Sequence, residues 1–133
     1  MARYFDRESA DALLPDVEPL LREIQSLREQ LAEVEERAGG MQARTMGNGH
    51  LHEEEIDAVL GDARRIGDEI GERLRQIDAM GVLVKDLDAG LIDFPALRDG
   101  REVYLCWRLG EGDRIVWWHE IEAGFAGRQP LDD

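Results

Sequence analysis

An α+β fold is what this 133-residue sequence predicts: a long, coiled-coil-like antiparallel helical hairpin followed by a small, mostly antiparallel β-sheet. Two observations carry that expectation. Apolar residues recur at three- and four-residue spacing, strictly alternating from Val17 to Met41 and close to 3.5 on average from Ile56 to Met80, the periodicity of helices that bury one face. After Gly81 the pattern changes to period two, rich in β-formers and broken by Gly- and Asp-containing turns, as strands and hairpins require. The length fits one domain over 1–133. Within it, 7–80 hold the hairpin with a preceding short helix, and 81–133 a β subdomain and tail.

The first helix has the seam Val17, Leu20, Ile24, Leu27, Leu31, Val34, Ala38 and Met41. Pro15 suits its first turn, where a missing N–H costs nothing. Pro19 is tolerable if the helix starts near Asp16 or kinks there. A separate short helix over Arg7 to Leu14, capped by Asp6, is expected to precede it. The seam runs on past Gly39-Gly40 toward Thr45, which keeps that glycine pair inside the helix or at a kink. Gly47-Asn48-Gly49 then makes the turn. The second helix opens with Glu53-Glu54-Glu55, carboxylates that complement the helix dipole. It continues through Ile56, Val59, Ala63, Ile66, Ile70, Leu74, Ile77 and Met80 to a Gly81 cap. Gly67 and Gly71, one turn apart, allow tight packing against the first helix or close approach of another chain.

In the β half, Val82 to Asp86 and Leu91 to Phe94 flank a turn at Leu87-Asp88-Ala89-Gly90, and Pro95 ends the second strand. Arg98-Asp99-Gly100 leads into Glu102 to Leu109, and Gly110 to Asp113 closes a last hairpin into Arg114 to Glu120. Arg3-Tyr4-Phe5 supplies a further edge strand. The glycine-rich tail Gly124 to Pro130 is irregular but carries Phe125 and Arg128.

These segments carry a family resemblance. Val84-Lys85-Asp86-Leu87, Gly90 to Ala96, Arg101 to Glu111, Trp118-His119-Glu120 and Gly124 to Pro130 resemble an uncharacterised prokaryotic family, domain-of-unknown-function family 2203. The opening Tyr4-Phe5 with Ala12-Leu13-Leu14-Pro15, and the turn Gly47-Asn48-Gly49, are similar to that family's start and hairpin turn. The resemblance spans nearly the whole chain and implies neither an activity nor catalytic residues.

Candidate chemistry gathers on the last hairpin. A four-residue loop at Gly110 to Asp113 pairs Arg108 with Ile115, Cys106 with Trp117, and Tyr104 with His119. Alternation then places Leu105, Trp107, Leu109, Val116 and Trp118 toward the helices. Tyr104, Cys106, Arg108, Trp117 and His119 share the opposite face. A thiol beside an imidazole serves nucleophilic catalysis if His119 or Arg108 stabilises the thiolate. The same pair holds a metal if Glu120 or Asp93 completes the set. Arg108, His119 and Arg128 also suit an anion pocket. The plainer reading makes Cys106 a small buried hydrophobe and His119 a structural hydrogen-bonder. His50 and His52, beside three glutamates, form either a weak metal site or a polar loop. No CxxC, HExxH or phosphate-loop motif occurs.

Charge and composition narrow the function. Sixteen basic against 30 acidic residues give a formal net charge of −14, which opposes direct binding to nucleic acid or to an anionic membrane. No apolar run approaches the roughly 20 residues that span a bilayer, and no signal-peptide core is visible. The single Cys106 excludes an internal disulfide, so a cytoplasmic location is expected. The leading expectation is a non-enzymatic cytoplasmic interaction or assembly protein whose hairpin forms a homodimer or binds a protein partner. The alternative is a small-ligand or metal-binding domain, enzymatic or not, that uses Tyr104, Cys106, Arg108, Trp117, His119 and Arg128. No cofactor can be named from the sequence.

Overall fold

A computed structural model describes residues 3–45 and 53–132. The Gly47-Asn48-Gly49 turn and the candidate ligands His50 and His52 lie outside the described residues. The element order is α1 (Arg7–Thr45), α2 (Glu53–Ala79), β1 (Leu83–Asp86), β2 (Leu91–Arg98), β3 (Arg101–Arg108), β4 (Trp117–Glu120), a single 3₁₀ turn (Phe125–Gly127) and β5 (Gln129–Pro130). This is the expected α+β architecture of two long, closely packed helices followed by an antiparallel sheet.

Helix α1 begins at a reciprocal cap. Asp6 Oδ1 accepts the Ser9 N–H at 2.8 Å, and Ser9 Oγ accepts the Asp6 N–H at 3.0 Å, which satisfies two donors that the first turn leaves open. The separate short helix expected over Arg7 to Leu14 does not exist, because α1 runs unbroken through Pro15 and Pro19. Both prolines are exposed, on the side opposite the buried stripe Ala10, Leu14, Val17, Leu21 and Ile24. The carbonyls they leave without an i→i−4 donor are those of half-buried Asp11 and exposed Pro15. The stripe also takes Leu21, not Leu20, as its seam residue. Helix α2 ends just before Gly81, whose φ of 85° is a left-handed cap.

The chain forms two compact units, Glu23–Arg73 and Met1–Arg22 with Leu74–Asp133. In the first, Leu27, Val34 and Met41 of α1 pack with Val59 and Ile66 of α2, flanked by Leu31, Ala38, Ile56, Ala63 and Ile70. Every one of these is a predicted seam position, and Gly39-Gly40 lies within α1. Arg73 Nε bonds Glu23 Oε1 at 2.8 Å between the two helices.

The second unit holds the sheet, an antiparallel meander in the order β1-β2-β3-β4-β5. The β2–β3 turn places Asp99 and Gly100 at φ 53° and 79°, the two left-handed positions of a type I′ hairpin. Three expectations change here. Pro95 does not end β2 but sits inside it, opposite Tyr104. Its carbonyl accepts the Phe5 N–H at 2.7 Å. Carbonyl and nitrogen of one strand residue point the same way, so the missing N–H also faces away from β3 and costs the ladder nothing. Arg3-Tyr4-Phe5 forms no strand; that bond, the Tyr4 hydroxyl donating to Glu102 Oε2 at 2.9 Å and a 5.2 Å edge-on contact of Phe5 with Phe94 tie it to the sheet. The last hairpin is not closed at Gly110 to Asp113, because β4 begins only at Trp117. The Ile115 N–H bonds Asp11 Oδ1 at 2.7 Å instead of Arg108, and the Trp107 indole N–H bonds the Gly112 carbonyl at 3.0 Å.

One sheet face carries Ile92, Phe94, Ala96, Val103, Leu105, Trp107 and Trp118, all buried. These pack in one unit with Phe5, the α1 residues Ala10, Leu14, Val17 and Leu21, and Ile77, Val82 and Ile115, all buried. Val116, assigned to that face from the sequence, is exposed because it belongs to the open connection between β3 and β4.

Candidate functional site

The opposite sheet face holds the polar residues. Register aligns Asp93 of β2, Cys106 of β3 and Trp117 of β4 in one row, and Pro95, Tyr104 and His119 in the next. Neighbouring strands lie about 4.8 Å apart, so side chains of adjacent rows on one face converge. Asp93, Cys106 and His119 are 2%, 0% and 2% exposed. Their ligand atoms, one carboxylate oxygen, one sulfur and one ring nitrogen, all lie within 4.8 Å of one another. Two pairings expected from the sequence, Cys106 with Trp117 and Tyr104 with His119, are present.

Both ring nitrogens of His119 are engaged. Nδ1 lies 2.8 Å from the Glu120 carbonyl oxygen, which only accepts, so Nδ1 carries a hydrogen and donates. Nε2 lies 3.1 Å from Asp93 Oδ1. A neutral imidazole with its hydrogen on Nδ1 presents a lone pair at Nε2, and a carboxylate oxygen presents another. Two acceptors face each other in a water-excluded site, and that arrangement needs a positive centre between them, a proton or a metal ion. A backbone carbonyl that fixes the distal ring N–H is also the usual outer support of a metal-ligating histidine.

Burial pushes the Cys106 thiol up to about 12, with the Asp93 charge adding to the rise and the Arg128 charge opposing it. Neither His119 nitrogen is left to take the thiol proton, so the cysteine–histidine nucleophile considered from the sequence lacks its base.

The tail brings Arg128 to this face. Its guanidinium stacks 4.9 Å from the Trp117 ring centroid and 4.7 Å from that of Phe125. Arg128 Nη2 bonds Glu111 Oε1 at 2.7 Å, and the two side chains are 10% and 16% exposed. Glu111 Oε1 also accepts the Arg108 backbone N–H at 2.9 Å, so the 109–116 connection and the tail are tied together. Arg128 Nε is buried with no hydrogen-bond partner. Tyr104 meets His119 edge-on at 5.6 Å, with the Lys85 ammonium 4.8 Å from the Tyr104 ring.

Two candidates from the sequence lie apart from the cluster. Glu120 alternates to the other face, where Arg101 Nε donates to it at 3.0 Å, and it does not join Cys106 and His119. Arg108 is exposed and stacks over Phe125 at 5.4 Å, with no place beside the thiol. Two residues of importance went unassigned in the sequence. Asp11 anchors Ile115 from 104 positions away, and no local pattern signals that. Glu111 was legible only as the end of the run Arg101 to Glu111 that carries the family resemblance. A groove of about 360 Å³ between Leu74, Asp78 and Val82 to Lys85 includes none of the three clustered residues.

A family model described as "Uncharacterized conserved protein (DUF2203)" matches residues 3–131, and the chain belongs to that family. No curated protein and no solved structure matches it.

Proposed function

We propose that this protein is a metal-binding domain whose centre is Asp93, Cys106 and His119 on the tail-covered face of the sheet. The single observation that carries it is the facing pair of acceptors, His119 Nε2 and Asp93 Oδ1 at 3.1 Å, with a cysteine sulfur completing the cluster. Mixed nitrogen, sulfur and oxygen donors suit a transition ion, not Mg²⁺ or Ca²⁺, which take oxygen alone. A reduced Cys106 fits a cytoplasmic location, where thiols stay reduced. Elemental analysis of protein purified without chelator tests the assignment. About one transition-metal ion per chain is expected, lost in Cys106→Ser and His119→Ala; equal metal content in wild type and both variants removes it.

Self-association through the hairpin is the second reading. The seams of α1 and α2 are spent on each other, so a partner needs the outward side of α2. There Leu60 is 50% exposed and a Cβ added at Gly67, two turns on, meets nothing within 4 Å. Light scattering coupled to size exclusion decides it: a dimer that Leu60→Glu converts to monomer supports it, and a concentration-independent wild-type monomer removes it.

A further inference from the structure

We infer that the ion is Zn²⁺, held by Asp93 Oδ, Cys106 Sγ and His119 Nε2, and that its fourth position takes an oxyanion that also bonds Arg128. This rests on the metal-binding reading above. Tetrahedral zinc with bonds of about 2.0–2.1 Å to nitrogen and oxygen sets those two atoms roughly 3.3 Å apart. The Asp93 Oδ1 to His119 Nε2 separation is 3.1 Å, so these two atoms already stand close to the spacing that zinc requires. The charges balance as well. A divalent ion with one thiolate, one carboxylate and one neutral imidazole is neutral, so the three buried ligands carry no net charge once the ion is bound. A monovalent copper ion meets a carboxylate that it does not favour.

Binding is an exchange of cations. Zn²⁺ forms bonds to Sγ, Nε2 and Oδ, while the thiol proton and the proton shared by His119 and Asp93 leave to solvent. No redox change is involved.

Three protein ligands are one short of a closed structural site and are the number found where a position stays open. Among the described residues no fourth ligand atom joins the cluster. The carboxylates of Glu120 and Glu111 are committed, to Arg101 and to Arg128. Arg128 supplies the independent pointer to a ligand. Its side chain is nine-tenths buried, Nη2 is occupied by Glu111, and its Nε–H is buried without an acceptor. A buried donor left unpaired is costly, and the guanidinium stacks on Trp117, the cross-strand neighbour of Cys106. An oxyanion with one oxygen on zinc and another accepting the Nε–H links the two groups, through the charge-assisted hydrogen bond that guanidinium forms with carboxylate or phosphate.

The test uses the full chain, stripped with chelator and reloaded with Co²⁺ as a coloured substitute or with Zn²⁺ in competition with a chromophoric chelator. Inorganic phosphate serves as the oxyanion probe. The expected result is one ion per chain, a sulfur-to-cobalt charge-transfer band absent from Cys106→Ser, and intense visible bands of a four-coordinate ion. Added phosphate shifts the visible bands in wild type and not in Arg128→Met. A bound ion with weak six-coordinate bands and no sulfur band overturns the zinc assignment while leaving metal binding intact. Bands indifferent to phosphate in wild type overturn the oxyanion, and no ion retained in any form overturns the parent reading itself.

Discussion

Removing the His119 ring while leaving Asp93 in place isolates the cost of the buried acceptor pair. In chelated wild type one proton holds Nε2 and Oδ1 together at 3.1 Å. At an effective dielectric of about 20, unit charges at that separation attract by roughly 5 kcal/mol, most of it offset by desolvation. His119→Ala leaves the Asp93 carboxylate in a 3%-exposed site with its imidazole partner gone. Breaking one side of such a pair costs about 3–5 kcal/mol, and roughly 4 °C per kcal/mol gives a fall in Tm of more than 10 °C. Asp93→Asn behaves differently. An amide N–H donates to the Nε2 lone pair without any shared proton, so this variant loses less than about 1 kcal/mol. In the His119→Ala background the same Asn substitution regains about 2 kcal/mol, because it discharges the stranded carboxylate. Urea unfolding with chelator present, followed by tryptophan fluorescence, measures all four proteins. All three tryptophans, Trp107, Trp117 and Trp118, lie in the sheet, so the signal reports the unit that contains the pair. A His119→Ala loss below about 1 kcal/mol, or simple additivity of the two substitutions, refutes the shared-cation geometry.

Four further outcomes are expected. Gly90→Ala destabilises by about 2 kcal/mol or more in thermal melts, since φ is +65° and the added Cβ runs into the Leu109 side chain; an unchanged Tm contradicts it. Asp11→Ala strands the buried Ile115 N–H and costs about 1–2 kcal/mol net of the better helix propensity of alanine, whereas Asp11→Asn keeps the acceptor and most of the stability. Cys106 resists alkylation at pH 8 until denaturant is added, because its thiol is fully buried and pushed up to about 12; stoichiometric native labelling counts against that burial. Bonds from Ser9 hold the Asp6 carboxyl below its usual range, so its stabilising share is complete above the ordinary aspartate value of about 3.9 and is lost as pH falls through the lower folded value. Asp6→Asn therefore narrows its stability deficit against wild type in acid melts, and a pH-independent difference rejects the cap.

The hairpin core could be read almost residue by residue, since Leu27, Leu31, Val34 and their α2 counterparts need only helical periodicity to find each other. What escaped the sequence depends on direction rather than pattern. Pro15 and Pro19 stay inside α1 because they face away from the buried stripe, and Pro95 stays inside β2 because its missing N–H points away from β3. The register of β3 on β4 followed from the Cys106–Trp117 and Tyr104–His119 pairing even though the loop behind it was wrong. Asp93 was foreseen only as one of two completing ligands, and strand alternation decides for it: Asp93 shares the Cys106 face, whereas Glu120 lies one residue past His119 on the other. Asp11 and the unpaired Arg128 Nε arise from tertiary contacts that no local signal encodes.

X-ray absorption at the zinc edge of the loaded 133-residue chain reads the proposed centre directly. One sulfur at about 2.3 Å with nitrogen and oxygen neighbours near 2.0 Å, and loss of the sulfur shell in Cys106→Ser, is the predicted result. A first shell of nitrogen and oxygen alone in wild type contradicts it, since Cys106 then takes no part in holding the ion.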